Sequence, residues 1–164
     1  MERYGSILIR DAMVDDQPEI ARLYVELREH HRLLEARSPR YDMGDLVWEL
    51  EARRALQDPD IHLLVAESQD EGLVGFARLS LEEKVWGLSC EVHTLIVEEA
   101  SRSAGVGGRL MEAAEAWAVT EGAKGIRVNV LLHNAGGRAF YEREGYLPIA
   151  VRYGKALSPG EQES

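Results

Sequence analysis

The chain has 164 residues, 45% of them apolar, with a formal net charge of −10 and a single cysteine, Cys90. That length and apolar share suit one domain with one packed core and exclude an unfolded chain. The acidic balance argues against nucleic-acid binding, which needs a basic surface. One cysteine excludes an internal disulfide, and no apolar run approaches the ~20 residues that cross a bilayer.

Taken in chain order, Ser6 to Arg10 is a short apolar run and reads as a first strand. Gln17 to Leu34 has helical spacing, with Ile20, Tyr24, Leu27, His31 and Leu34 on one stripe. Asp15 or Asp16 is placed to cap it, with Pro18 in its first turn. Ser38-Pro39-Arg40 ends that helix. A second helix is expected from about Asp45 to Leu56, with Leu46, Val47 and Leu50 inward, closed by Asp58-Pro59-Asp60. Ile61 to Glu67 and Leu73 to Leu81 read as a hairpin around Asp70-Glu71-Gly72, and Gly87 to Val97 as a further strand. The clearest helix runs from Val106 to Glu121, with Val106, Leu110, Ala113 and Trp117 stepping by four, three and four, and Gly122 as its stop. A strand over Ile126 to Leu132, a helix over Asn134 to Glu144 and a last strand region from Tyr146 to Leu157 complete the pattern. The order predicts a mixed α/β sheet with an antiparallel meander in its middle, in one domain over residues 1–157 with a polar tail over 158–164. The N-terminus, Met1-Glu2-Arg3-Tyr4-Gly5-Ser6, lacks the layout of a signal peptide. With the lone cysteine, that gives a cytoplasmic expectation.

The segment Leu95-Ile96-Val97-Glu98-Glu99-Ala100-Ser101-Arg102-Ser103-Ala104-Gly105-Val106-Gly107-Gly108 carries the most information. A strand ends, a glycine-bearing turn follows, and the clearest helix begins. The free N–H groups of a helix's first turn carry partial positive charge and favour an anion, above all a phosphate. Glycines let a ligand approach the main chain, and Arg102 adds a formal charge. A Walker A loop needs Lys and Ser/Thr after its last glycine, and Arg109 and Leu110 stand there instead. A dinucleotide fingerprint opening at Gly105 needs a small residue at 110, which is leucine. What remains is Arg-x-x-Gly-x-Gly from Arg102 to Gly107, which on its own also fits a simple tight turn.

A second segment, Asn134-Ala135-Gly136-Gly137-Arg138-Ala139-Phe140-Tyr141-Glu142-Arg143-Glu144-Gly145-Tyr146, opens on a good N-cap. It sets Phe140 and Tyr141 on adjacent helix faces, about 100° apart.

Together the two segments resemble the GNAT superfamily of N-acetyltransferases. In that family an Arg/Gln-x-x-Gly-x-Gly/Ala turn follows a strand and opens a helix, and a later Asn-initiated helix carries a tyrosine before Gly-Phe or Gly-Tyr. Val74-Gly75-Phe76-Ala77 also looks like the family. The likeness covers Ile61 to Tyr153; residues 1–60 match in layout only. Ser103 stands where glycine is common, and Gly136 and Gly137 loosen the first turn of the later helix.

The resemblance implies a GNAT fold, with a mixed sheet of about six to seven strands, about four helices and splayed central strands. It implies acetyl-CoA as cosubstrate, held by the backbone of Leu95, Ile96 and Val97 along the pantetheine arm. The turn formed by Arg102, Ser103, Ala104, Gly105, Val106 and Gly107 would hold the pyrophosphate, with Gly108 adding a contact and Asn134 approaching the arm. Tyr141 is implied as the acid for the departing thiolate, and an N–H of Ile96 or Val97 as the oxyanion donor. For the base, Glu91 and His93 are both candidates, because side chains two apart on a strand share a face. No His/Cys cluster has metal-ligand spacing, so no metal is expected.

The expected acceptor is an amine, with a small molecule, polyamine or aminoglycoside placed ahead of a protein amine. The expected pocket lies between the two early helices, their linker and the central strands, where Asp42, Asp45 and Glu49 are candidate cation attractors. No nucleic-acid or membrane partner is expected, and a homodimer is compatible with open sheet edges. The rival reading is a non-catalytic acyl-CoA sensor that keeps the turn and lacks the chemistry.

Overall fold

The computed structural model describes residues 6–34, 44–155 and 157. They fall into two compact units that divide between Asn129 and Val130. The first holds strands β1 (Ile7–Asp11), β2 (Ile61–Ser68), β3 (Gly72–Lys84), β4 (Gly87–Val97) and β5 (Gly125–Val128), with helices α1 (Gln17–Leu34), α2 (Asp45–Gln57) and α3 (Val106–Thr120). The second holds helix α4 (Ala135–Arg143).

The sheet order is β1-β2-β3-β4-β5. The first four strands are antiparallel, and β5 joins β4 in parallel. This is the predicted mixed sheet with a central meander, built from five strands rather than six to seven. The expected last strand accounts for the shortfall: the region from Tyr146 to Leu157 forms no ladder among the described residues, and the strand expected over Ile126 to Leu132 is present but ends at Val128. Leu147, Ile149, Val151 and Tyr153 do alternate, but alternation supplies only strand propensity; a ladder also needs a neighbouring strand.

Alternation along β3 sorts the two sheet faces. Phe76 packs edge-on against Tyr24 of α1, with centroids 4.9 Å apart. Its neighbour Gly75 turns toward Leu110 of α3. On the first face Ile20, Leu23 and Tyr24 of α1 and Ala52 and Ala55 of α2 bury Leu63, Val65, Leu73, Phe76 and Ile96. The other face is covered by α3 through Val106, Leu110, Met111, Ala114 and Ala118.

The helices were placed better than their faces. α1 matches its expected span, and Ile20 and Tyr24 are buried as its stripe requires. In α2 the expected inward residues Leu46 and Leu50 are exposed. The face that packs is Trp48, Ala52 and Ala55, at i, i+4 and i+7, because two alanines let the helix lie close to its neighbours. In α3 the buried stripe runs 106, 110, 114, 118, and Trp117 instead stacks flat on His62, with centroids 4.3 Å apart. Asp16 does not cap α1. Its carboxylate accepts from Arg10 Nη1 at 2.8 Å and from the Met13 amide at 2.7 Å, pinning the turn that leads into the helix. The break at Ser38-Pro39-Arg40, the polar tail and Asp42 lie outside the described residues.

Candidate active site

The β4–β5 ladder ends at Val92 opposite Val128, while β4 continues to Val97. From His93 onward β4 therefore has β3 on one side and no strand on the other among the described residues. An unpaired edge of this kind is what the expected splay requires. The Glu98 amide donates to Val74 O at 2.9 Å, and Ile96 O lies 2.6 Å from where a Cβ on Gly75 would stand. The antiparallel alternation then turns the main-chain groups of Ile96 toward β3 and those of Leu95 and Val97 outward. Of the expected oxyanion donors, Ile96 N–H is thus turned into the sheet, and Val97 N–H is the one turned out. Val97 O accepts from Arg102 Nε at 3.0 Å.

Gly75 is the reason β4 can approach so closely. A methyl there meets the Ile96 carbonyl at 2.6 Å and Leu110 Cδ1 at 3.3 Å, so backbone must move. Gly75→Ala is expected to destabilise the fold by about 1–3 kcal/mol, as overpacking does. A thermal melt should show a drop of several degrees; an unchanged Tm would show that the strands have slack here.

After β4 a single 3-10 turn (Glu99–Ser101) leads to the predicted phosphate turn. Gly105 is the N-cap of α3, with φ 78°, and a Cβ built on it has nothing within 4 Å. Ser103 also has a left-handed φ of 73°, which explains physically why glycine is common there. The first main-chain bond into α3 is Arg109 N donating to Gly105 O at 3.1 Å. The amides of Gly105, Val106, Gly107 and Gly108 donate to no main-chain acceptor among the described residues. Arg102 is exposed, and its Nη2 lies 4.0 Å from Glu26 Oε1. An open hollow of about 430 Å³, lined by Glu26, Glu98, Glu99 and Ala100, lies beside the turn. Bare amides around a glycine with free space above it fit a diphosphate.

The base candidates lie on the α1–α2 face of the sheet. Glu91 stands opposite Ser80 of β3. Its Oε1 accepts from Ser89 Oγ at 3.0 Å and lies 3.5 Å from Lys84 Nζ. His93 is the extra residue of a β-bulge: Leu79 pairs with Val92 and Arg78 with Thr94, which leaves His93 without a partner. Its Nε2 lies 2.6 Å from Ser80 Oγ, so Glu91 and His93 do share a face. The residue as a whole is accessible to solvent, with its imidazole partly covered. Burial and the nearby Arg78 guanidinium hold its pKa below the ordinary value, against opposing pulls from Glu82 and Glu91. Cys90, on the opposite face, is fully buried, and burial pushes its thiol up to about 11, so it stays an inert apolar residue.

Deeper under α1 and α2, Tyr24 Oη, Trp48 Nε1 and Arg78 Nε are buried with no hydrogen-bond partner among the described residues. Arg78 Nη1 reaches Glu51 Oε2 at 3.5 Å. Of the suggested cation attractors, Asp45 is engaged by Arg28 at 2.8 Å, and Glu49 is exposed. Periodicity alone did not find Ser80, Arg78 or the bulge. The available signal was a strand, Phe76-Ala77-Arg78-Leu79-Ser80, in which polar residues share the face of a core phenylalanine.

In the second unit Asn134 caps α4 as expected, its Oδ1 accepting from Gly137 N at 2.9 Å. Gly137 has a specific task there: a Cβ on it would stand 2.6 Å from Asn134 Nδ2. Tyr141 packs edge-on against Phe140 at 5.0 Å and Tyr146 at 5.6 Å. Burial raises its phenol pKa above the ordinary value, so the hydroxyl keeps its proton at physiological pH. No helix among the described residues is long and apolar enough to cross a membrane.

A mixed sheet whose fourth strand outruns its parallel neighbour and ends in an amide-lined, glycine-bearing turn is the arrangement that the sequence resemblance to the acetyltransferases implies. The comparisons agree. The acetyltransferase (GNAT) family model matches residues 18–146. An uncharacterized N-acetyltransferase, YhfO of Bacillus subtilis (strain 168), is 31% identical over 140 residues, covering 84% of this chain and 88% of the relative. A mutant of the BH1408 protein from Bacillus halodurans superposes with a TM-score of 0.77 at 22% identity, covering 92% of this chain and 99% of that one. Aminoglycoside N-acetyltransferase AAC(6')-Iy in complex with CoA superposes with a TM-score of 0.69 at 16% identity, covering 96% of this chain and 99% of that one. The chain belongs to the GNAT acetyltransferase family and is an acyltransferase.

Proposed function

We propose that the protein transfers the acetyl group of acetyl-CoA to the amine of a small molecule by direct attack. The observation that carries this reading is the set of uncommitted amides at Gly105, Val106, Gly107 and Gly108, at the end of a strand with an open outer edge. Those amides, with Ser103, Ala104 and Arg102 around them, hold the diphosphate. The outward main-chain groups of Leu95 hold the pantetheine arm as an added strand would, while Ile96 anchors β4 to β3 and the Val97 carbonyl is held by Arg102 Nε. Asn134, whose Oδ1 caps α4, is carried over as an arm-binding residue on the family resemblance alone.

An ammonium has no lone pair, so the acceptor must first lose a proton. We assign that task to His93, because the residue is accessible to solvent, partial desolvation and Arg78 lower its pKa, and Ser80 holds it. Glu91, engaged by Ser89 and Lys84, sets the local charge that receives the cation. Val97 N–H stabilises the developing oxyanion. Tyr141, on the family resemblance, protonates the departing sulfur.

A small-molecule acceptor is supported by the aminoglycoside acetyltransferases among the structural neighbours. The acidic hollow beside the turn and the net charge of −10 favour a cationic substrate. The test is CoA release from acetyl-CoA across a panel of polyamines, aminoglycosides, simple amines and peptides. A mass gain of about 42 Da on a small amine is the expected result, the increment being set by acetyl replacing hydrogen. Acetyl-CoA binding with no turnover across the panel would instead favour the sensor reading.

A further inference from the structure

We propose that Ser80 is a positioning residue for His93: its Oγ accepts a hydrogen bond from Nε2–H and so selects the tautomer whose Nδ1 lone pair takes the amine's proton. The proposal rests on the reading of His93 as the base.

Two placements support it. Ser80 Oγ and His93 Nε2 lie 2.6 Å apart, and Ser80 is only 9% exposed while His93 as a residue remains accessible to solvent. The contact joins a buried, fixed group to an accessible one. The β-bulge supplies the reach, since Ser80 faces Glu91 in the ladder and the extra residue brings the His93 ring back over it.

The direction of the bond follows from what a base must do. A neutral imidazole carries one proton, and which nitrogen holds it is set by the bond the other makes. Were Ser80 to donate to Nε2, the ring proton would sit on Nδ1 and no lone pair would remain for the amine. With Ser80 accepting, Nδ1 is free. In the transfer the amine's N–H bond breaks, its electron pair stays on nitrogen, and an Nδ1–H bond forms. Nε2–H keeps donating to Ser80 throughout, so the imidazolium forms without any hydroxyl having to turn. The charged groups facing the ring are Arg78 and Glu82 from β3 and Glu91 from β4. Lys84 is shared by both carboxylates, and Glu51 of α2 faces Arg78.

The test combines the pH profile of kcat/KM for the amine with nitrogen NMR of the His93 ring. An accepting hydroxyl favours the imidazolium, so its removal lowers the ring pKa. Ser80→Ala should cut kcat/KM about tenfold, roughly the worth of one hydrogen bond to a charged group. It should also move the acidic limb to lower pH, leaving acetyl-CoA affinity unchanged. Ser80→Thr, which keeps the hydroxyl, should restore both rate and limb. NMR should show the proton on Nε2 in the unsubstituted protein. A limb that moves to higher pH, or a proton found on Nδ1, overturns the proposal. His93→Gln separates the two readings: full activity in that variant removes the base assignment, while the measured tautomer still reports whether Ser80 holds the ring as described.

Discussion

Gly105→Asp should weaken acetyl-CoA binding more than a hundredfold while leaving the protein folded. Three effects act together. Gly105 has φ 78°, a conformation that costs an ordinary L-residue about 1–2 kcal/mol. Its missing side chain leaves open space above the amides of α3's first turn, and the aspartate would enter it. Its carboxylate would then occupy the anion position as an internal competitor, favoured by the same partial positive charge that attracts a phosphate. The comparison to make is Gly105→Ala, which shares the backbone strain without the charge. Calorimetry should show the alanine variant losing far less affinity than the aspartate. Equal losses would mean that strain alone, and not a diphosphate at these amides, explains the effect.

Tyr141→Phe should lower kcat by roughly ten- to a hundredfold, at or below the low end of general acid catalysis. The modest size has a chemical reason. A thiol of pKa ~8.5 is a tolerable leaving group as its anion, so the acid assists a step that is already feasible. Burial keeps the Tyr141 phenol protonated across the working pH range, so it can donate a hydrogen bond to the departing sulfur and cannot act as a base, while the same raised pKa makes it a weak acid toward a thiolate. Phe140 and Tyr146 hold the ring by edge contacts that the phenylalanine variant retains. Acetyl-CoA affinity, measured separately, should change less than threefold, well under the loss in kcat. An unaltered kcat would remove Tyr141 from the chemistry.

The parts of this molecule that sequence made legible are those in which one residue type has one physical use. Gly105 after Val97, at the head of the strongest helix, marked the turn because only a few chemistries need that arrangement. Asn134 was readable as a cap because its side chain bonds a residue three positions on. Faces were harder. In α2 the larger residues Leu46 and Leu50 suggested the wrong side, since it is Ala52 and Ala55 that allow close approach. The β-bulge at His93 could not be read at all, because a bulge is a relation between two strands and leaves no mark in the residues of one. Ser80 became visible as a partner only once that register was known. The outward turn of Val97 and inward turn of Ile96 likewise follow from ladder parity, which a strand's own sequence does not contain.

The most direct check is an amide NMR titration with CoA, run beside a titration with pantetheine. The account predicts that the N–H resonances of Gly105, Val106, Gly107 and Gly108 shift on CoA addition and stay in place with pantetheine, which lacks the diphosphate, while Leu95 and Val97 respond to both. Resonances at 105–108 that remain still at saturating CoA would contradict it.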